Sequence, residues 1–387
     1  MECFHALLHW PALPTIFWFS FLSCLLFLFI KSHRKADLDS VSEELPEPDC
    51  YPTVEPLPNF EWRNVEPVRI RPFKPKYNLT MREIEERRAF TNKLMSILGI
   101  QESTVSELIE IDKNYLDRIA LRKKIMAQYP DNVLAAEEPV KKAVDEFYTW
   151  LVGTYLPSRY PRTFQLRCSE KGSEHLYNLA TNKKVQLLPS NDPKDTLKIL
   201  GGLVEDDFLF LLPSEDGDGY TLKGFVTCFP NGFDTAKKLN LKLRDIHKPV
   251  PHYKENLEKS MDRYFAKLKV GKVVKRANFM DLTDSSKYSV ATGNHLYEGE
   301  EIPEENFDID KMRLRVERQC LHRLPQSKSL LFSFKTLLYT IPEIKAEGLG
   351  ESLVGAIDGL REGNSPGFHL YKRAAVWGDF VKEYLRS

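Results

Sequence analysis

The chain has no charge excess of either sign: 55 Lys plus Arg stand against 55 Asp plus Glu. A protein without a basic field has no electrostatic basis for holding nucleic acid, so no nucleic-acid partner is expected. Paired cysteines are also missing. Cys3, Cys24, Cys50, Cys168, Cys228 and Cys320 are scattered, with no Cys-x-x-Cys and no Cys-x-x-Cys-His. That argues against a zinc ribbon, covalent haem attachment and a secreted disulfide framework, and suits a reducing compartment. No Gly-x-Gly-x-x-Gly or Walker-type loop occurs. A Rossmann domain for a dinucleotide of the chain's own is therefore not expected. No internal repeat is visible.

What the sequence does contain begins with a long apolar run. Residues 12–30 carry no charged side chain, and Lys31, Arg34 and Lys35 come directly after. As a helix this run reaches roughly 28 Å, close to a bilayer core of about 30 Å. The expectation is a single transmembrane anchor behind a short tail, residues 1–11. The positive flank places the body in the cytosol, with the endoplasmic reticulum the expected membrane. A cleaved signal peptide is the rival reading, but it wants a basic start and a small-residue cleavage site. Asn78-Leu-Thr80 is a glycosylation sequon that would be used only on the luminal side.

Residues 31–59 are rich in acid and proline and lack periodicity, which reads as a linker. Residues 60–387 read as one catalytic domain. Helical spacing runs over residues 108–127, 140–155, 234–246 and 253–269, and again over 350–362 and 367–386. Strand patterns cover 208–212, 220–229, 311–321 and 330–339. Strands in the middle with helices before and after predict an α+β fold, a mostly antiparallel sheet with helical cover.

His247 closes a helix-like run, with Pro249 and Pro251 just beyond it. The two prolines end the helix and stiffen the chain on its far side, leaving the imidazole little freedom. That makes it the leading candidate for a metal ligand, with Asp245 or a backbone carbonyl to fix its tautomer. The competing reading is a histidine capping a helix C-terminus. His252 is the rival ligand, or a plain loop histidine. His322 is expected to be structural.

Several segments taken together resemble a known family. They are Phe73-Lys-Pro-Lys-Tyr-Asn-Leu-Thr-Met81, Glu110-Ile-Asp-Lys-Asn-Tyr115, Leu203-Val-Glu-Asp-Asp-Phe208 and Phe225-Val-Thr-Cys-Phe-Pro230. Further on come Ile246-His-Lys-Pro-Val-Pro-His-Tyr253, Arg276-Ala-Asn-Phe279, Leu314-Arg-Val-Glu-Arg-Gln319, Leu321-His-Arg-Leu-Pro325 and Phe332-Ser-Phe-Lys-Thr336. In this order, over residues 67–375, they resemble the haem-dependent oxidative N-demethylases. These are catalytic subunits of dimethylamine mono-oxygenase, and the fungal HRQ family proteins are similar. The resemblance implies a PAS-like sheet enclosing haem b, a histidine axial ligand and oxidation of a carbon next to nitrogen in a small amine. It also implies NADPH electrons delivered by a separate reductase, a flavin and iron–sulfur system or a microsomal one. Residues 82–109 intervene where the family passes quickly between two motifs, and the apolar N-terminus is a second departure.

With that resemblance, His247 becomes the expected axial ligand. Arg276 and Arg318 are candidate partners for haem propionates, since guanidinium pairs with carboxylate in bidentate fashion. A surface ion pair is the plain alternative for Arg276, and a solvated strand face for Arg318. Asn278, expected with Arg276 at the end of the second helical segment, is a candidate donor in a distal pocket, or a turn residue. Glu205 is a candidate carboxylate for a cationic amine, or part of an acidic turn. Alternation along residues 314–321 puts Glu317 and Gln319 on one face and Arg318 on the other. Cys228 and Cys320 read as inert small hydrophobes. The expected function is a membrane-tethered haem mono-oxygenase acting on an N-alkyl carbon. A haem-binding redox or oxygen sensor and a haem-free pseudoenzyme stand as alternatives.

Overall fold

A seven-stranded antiparallel sheet organises the chain. The computed structural model describes residues 48–71, 100–168, 172–284 and 294–387. The proposed anchor, the sequon at Asn78 and the motif ending at Met81 lie outside them. Among the described residues no helix is long and apolar enough to cross a membrane.

The strands are β1 (Gln101–Ser103), β2 (Leu134–Ala136), β3 (Phe164–Cys168), β4 (Glu174–Asn178) and β5 (Lys183–Gln186). They continue with β6 (Asp207–Pro213), β7 (Tyr220–Val226), β8 (Val273–Asp284), β9 (Met312–Arg323) and β10 (Leu330–Thr340). The large sheet has the order β1-β8-β9-β10-β6-β7-β2, and β3-β4-β5 form a small one. Each of these pairings is antiparallel. The α+β reading with an antiparallel sheet therefore holds. The β9–β10 pair, joined across Pro325-Gln326-Ser327, is the longest ladder read from the sequence, and it is present in full register from Arg313↔Thr340 to Arg323↔Leu330.

Strand alternation splits the side chains between two cores. Phe208, Phe210, Val226, Val273, Cys320 and Leu331 face one way. They pack with α1 (Tyr115–Gln128), α2 (Lys141–Trp150) and α3 (Pro193–Gly201). Leu211, Leu222, Phe225, Val274, Leu321 and Leu330 face the other. Their cover is α4 (Leu243–His247), α5 (Glu258–Lys267) and two C-terminal helices, α6 (Gly350–Asp358) and α7 (Ala374–Arg386). Central strands buried on both faces explain why β10 reads as a nearly unbroken apolar run.

Three expectations are corrected. Residues 234–246 are not one helix: a 3-10 turn (Ala236–Lys238) precedes Asn240 at φ 65°, and only then does α4 begin. The left-handed Asn240 breaks the run, and an isolated bridge between Lys242 and Thr221 ties the next residues to β7. Arg276 and Asn278 do not lie at the end of a helical segment. Gly271, at φ 82°, turns the chain after α5, and Val273-Val274 opens β8, paired along β9. Finally, the packed unit starts at Pro48. Tyr51 stacks on Trp150 at 3.7 Å and Val54 is buried, so residues 48–59 lie on the core instead of in a free linker.

Candidate functional site

His247 is the last residue of α4, and its Nδ1 lies 2.8 Å from the carbonyl oxygen of Leu243 one turn earlier. A carbonyl only accepts, so Nδ1 must carry the proton. That tautomer leaves Nε2 as a lone-pair donor, the arrangement a ligating imidazole requires. The tautomer-fixing partner is thus the backbone, and Asp245 is exposed. The ring stacks on Tyr253 at 4.9 Å between centroids. Burial, reinforced by the cations Lys238 and Arg276, pulls the imidazole pKa down to about 4. A neutral ring at physiological pH suits a metal ligand and not a cation capping a helix.

The same two cations define the surroundings. Burial lowers the Lys238 pKa to about 8, and its Nζ sits 4.0 Å over the Phe233 ring. Arg276 Nε is buried without a hydrogen-bond partner among the described residues. Two half-buried cations beside a neutral imidazole favour an anionic occupant. Leu209 on β6 and Phe332 on β10, both mid-strand, belong to the same apolar cluster as Leu243, Ile246 and Tyr253 yet are only half-buried. They lie opposite each other in the β6–β10 pairing, in the cluster that packs the segments carrying His247.

Register brings further groups to this face. Arg276 pairs with Gln319, and Asn278 with Glu317. Asn278 Nδ2 donates to Glu317 Oε2 at 3.4 Å, and Gln319 Nε2 donates to the same oxygen at 2.9 Å. The alternation of Glu317 and Gln319 against Arg318 is as read from the sequence.

Arg318 and Glu205 are not gathered here. Arg318 points to the opposite face, where it donates to the carbonyls of Leu108 and Glu107 and lies 2.9 Å from Glu110. Its donors are spent on the protein's own chain, which removes the basis for a propionate contact. Glu205 is no surface turn residue: it is 2% exposed and takes Lys335 Nζ at 3.0 Å. Burial raises its pKa, and Lys335 offsets part of the rise. An internal cation thus occupies the place an amine would take. His252 is exposed, at φ 56°, and stands apart as well. Cys228 and Cys320 are buried, and burial pushes their thiols up to about 12 and 11. Neither offers a thiolate at neutral pH. A surface cleft of about 870 Å³, bounded by Tyr51, Lys141, Glu146, Trp150 and Gln326 among others, includes none of the residues around His247.

The sequence reading missed Lys238 and the Tyr253 stack. Lys238 sits in a polar run whose pattern signals solvent, and only folding turns it inward. Tyr253 was inside a quoted motif but carried no signal of contact with His247.

The family model for haem-dependent oxidative N-demethylase, alpha subunit-like proteins matches residues 99–382. The chain belongs to this family. It is accordingly an oxidoreductase enzyme of oxidative demethylase type, and the family is haem-dependent. The match includes His247, Arg276, Asn278, Glu317 and Gln319, and both strands of the β9–β10 ladder.

The donor set fits haem. His247 Nε2 carries the free lone pair that an iron ligand needs, Lys238 and Arg276 are cations suited to its carboxylates, and Leu209 and Phe332 are apolar neighbours.

Proposed function

We propose that this N-demethylase-family protein is a membrane-tethered mono-oxygenase that uses haem b to oxidise an N-alkyl carbon of a small amine. The oxidised carbon leaves as an aldehyde. NADPH would supply electrons through a separate flavin and iron–sulfur or microsomal reductase. When bound, haem supplies the oxygen activation. The chain's own residues do the rest. His247 would hold the iron, with the Leu243 carbonyl keeping its proton on Nδ1. Lys238 and Arg276 would meet the propionates, and Leu209 and Phe332 would keep water away. The Asn278 and Gln319 amides supply donors on the same face of the sheet.

The observation that carries this reading is the His247–Leu243 hydrogen bond at 2.8 Å beside two half-buried cations. The first measurement is the absorption spectrum of full-length protein. Wild type should show a Soret band and a ferrous–CO band of histidine type, and His247→Ala should lose or markedly shift both. A well-folded wild type that stays colourless with excess haemin would end the proposal. Aldehyde release from an N-methyl amine, dependent on NADPH and a reductase, separates turnover from sensing.

Residues 12–30 are the proposed anchor, and the uncharged run with Lys31, Arg34 and Lys35 behind it supports an endoplasmic-reticulum membrane with the body in the cytosol. Protease protection of the C-terminus in sealed microsomes, or a glycan on Asn78, would contradict that orientation.

A further inference from the structure

We propose that Tyr253 is a positioning residue for the iron-binding imidazole: its ring holds the plane of His247 and tunes the iron through it. The inference rests on the reading of His247 as the axial ligand and deepens it. One hydrogen bond fixes an imidazole along one line only. The bond from Nδ1 to the Leu243 carbonyl sets the tautomer, yet the ring can still rock about the line joining Nδ1 to that oxygen. Rocking displaces Nε2, the nitrogen a metal needs, and a ligating atom has to be held to within about 0.5 Å. A flat contact stops the motion. Tyr253 supplies it, 4.9 Å from the imidazole between centroids and 16° from parallel.

The chain is shaped to deliver that ring. The His247 carbonyl accepts from Val250 N at 2.8 Å, and the Val250 carbonyl accepts from Tyr253 N at 3.2 Å. Two successive turns thus fold residue 253 back onto residue 247. Pro251 and His252 are the central residues of the second turn. Proline suits the first of these places, and a positive φ at the second, 56° at His252, is a common turn geometry. His252 therefore serves the turn. Tyr253 is itself held on three sides. It is 2% exposed, its hydroxyl donates to Met261 Sδ on α5 at 3.5 Å, and its carbonyl accepts from Leu257 N at 2.8 Å. His247 is only half-buried, so the anchored ring of the pair is the tyrosine.

The stack also acts on the iron. An imidazole bound to a metal gives up electron density and becomes partly positive, most of all on the oxidised metal. The face of a tyrosine is negative and attracts it. Tyr253 thereby favours the ferric state and lowers the reduction potential.

The test compares full-length, haem-loaded wild type with Tyr253→Phe, which keeps the ring, and Tyr253→Leu, which removes it. The readouts are the iron–histidine stretching band of the ferrous form, the reduction potential and the rate of haem transfer to apomyoglobin. Tyr253→Phe should match wild type in all three. Tyr253→Leu should broaden and shift the band, raise the potential and release haem about two- to tenfold faster, the effect of one aromatic pair. An unmoved band and potential in Tyr253→Leu overturn the proposal, whatever the change in stability. A band shifted in Tyr253→Phe assigns the effect to the hydroxyl and overturns it too, an outcome that does not need the leucine variant to fold. His247→Ala separates this inference from the reading beneath it. A band lost in His247→Ala but unmoved in Tyr253→Leu keeps the axial ligand and removes the stack's role. A His247→Ala protein with the wild-type band ends both.

Discussion

Lys335 Nζ lies 3.0 Å from Glu205 Oε2 and 2.7 Å from Asp112 Oδ2, with all three side chains buried. One ammonium thus neutralises two carboxylates behind the sheet. Removing it leaves both charges without compensation. Lys335→Met should destabilise the protein by about 3–5 kcal/mol in urea unfolding, the range for breaking a buried ion pair from one side. Adding Glu205→Gln should return part of that loss, because the two sites share one network. Additive losses would mean that the pair is not coupled.

His322 makes a pH prediction of definite sign. Both ring nitrogens are buried without a hydrogen-bond partner among the described residues, and burial holds the pKa down to about 3. The unfolded residue titrates near its ordinary value of about 6.5. Between those values the unfolded chain takes up a proton that the folded one refuses. Stability from this group is full above about pH 6.5 and falls as pH drops toward 3. His322→Leu should flatten that fall in thermal melts between pH 7 and pH 4.5. A residual slope should remain, since His247 is also held down, to about 4. An unchanged acid limb in the variant would contradict the assignment.

Arg276→Leu and Lys238→Leu should release haem faster without loosening the fold. Each removes a half-buried cation near His247, and neither makes an ion pair among the described residues. Transfer of haem to apomyoglobin should accelerate about tenfold for each variant, as one charge-assisted hydrogen bond is lost. Urea midpoints of the haem-free forms should hold or rise. A lowered midpoint with unchanged haem transfer would show the residues to be structural.

The body's true start can be tested by truncation. A chain beginning at Pro48 should keep the full melting temperature of the body, because its packed unit begins there. A chain beginning at Phe60 loses the Tyr51–Trp150 stack and the buried Val54. Its stability should drop by about 3 kcal/mol, the sum expected for one aromatic pair and one buried aliphatic side chain. Equal melting temperatures would return residues 48–59 to the role of a linker.

Much of the fold was readable because local patterns and burial agreed. Residues 312–317 alternate and residues 330–340 are mostly apolar, and their ladder forms. The same alternation placed Glu317 and Arg318 on opposite faces. The pattern failed where position in the fold overrode it. Residues 234–246 look amphipathic, but Asn240 in the left-handed region and the Lys242–Thr221 bridge break the helix. Residues 273–278 come after a helix and carry polar side chains, so strand β8 was hidden until β9 supplied its partner. Glu205 and Asp206 read as a surface turn because charge usually signals solvent. The cations that let them be buried, Lys335 and Arg318, come from far along the chain.

By itself, the sequence determined the antiparallel α+β plan and the family, and it singled out His247 as the candidate ligand, because apolar alternation and two nearby prolines act over short stretches of chain. Tertiary structure alone decided that the Leu243 carbonyl would hold the His247 proton, that Lys238 and Arg276 would stand near it, and that Arg318 would serve the opposite face. Those outcomes depend on which strands meet and in what register. Pairing is fixed by contacts between residues remote in sequence, and no local pattern encodes them.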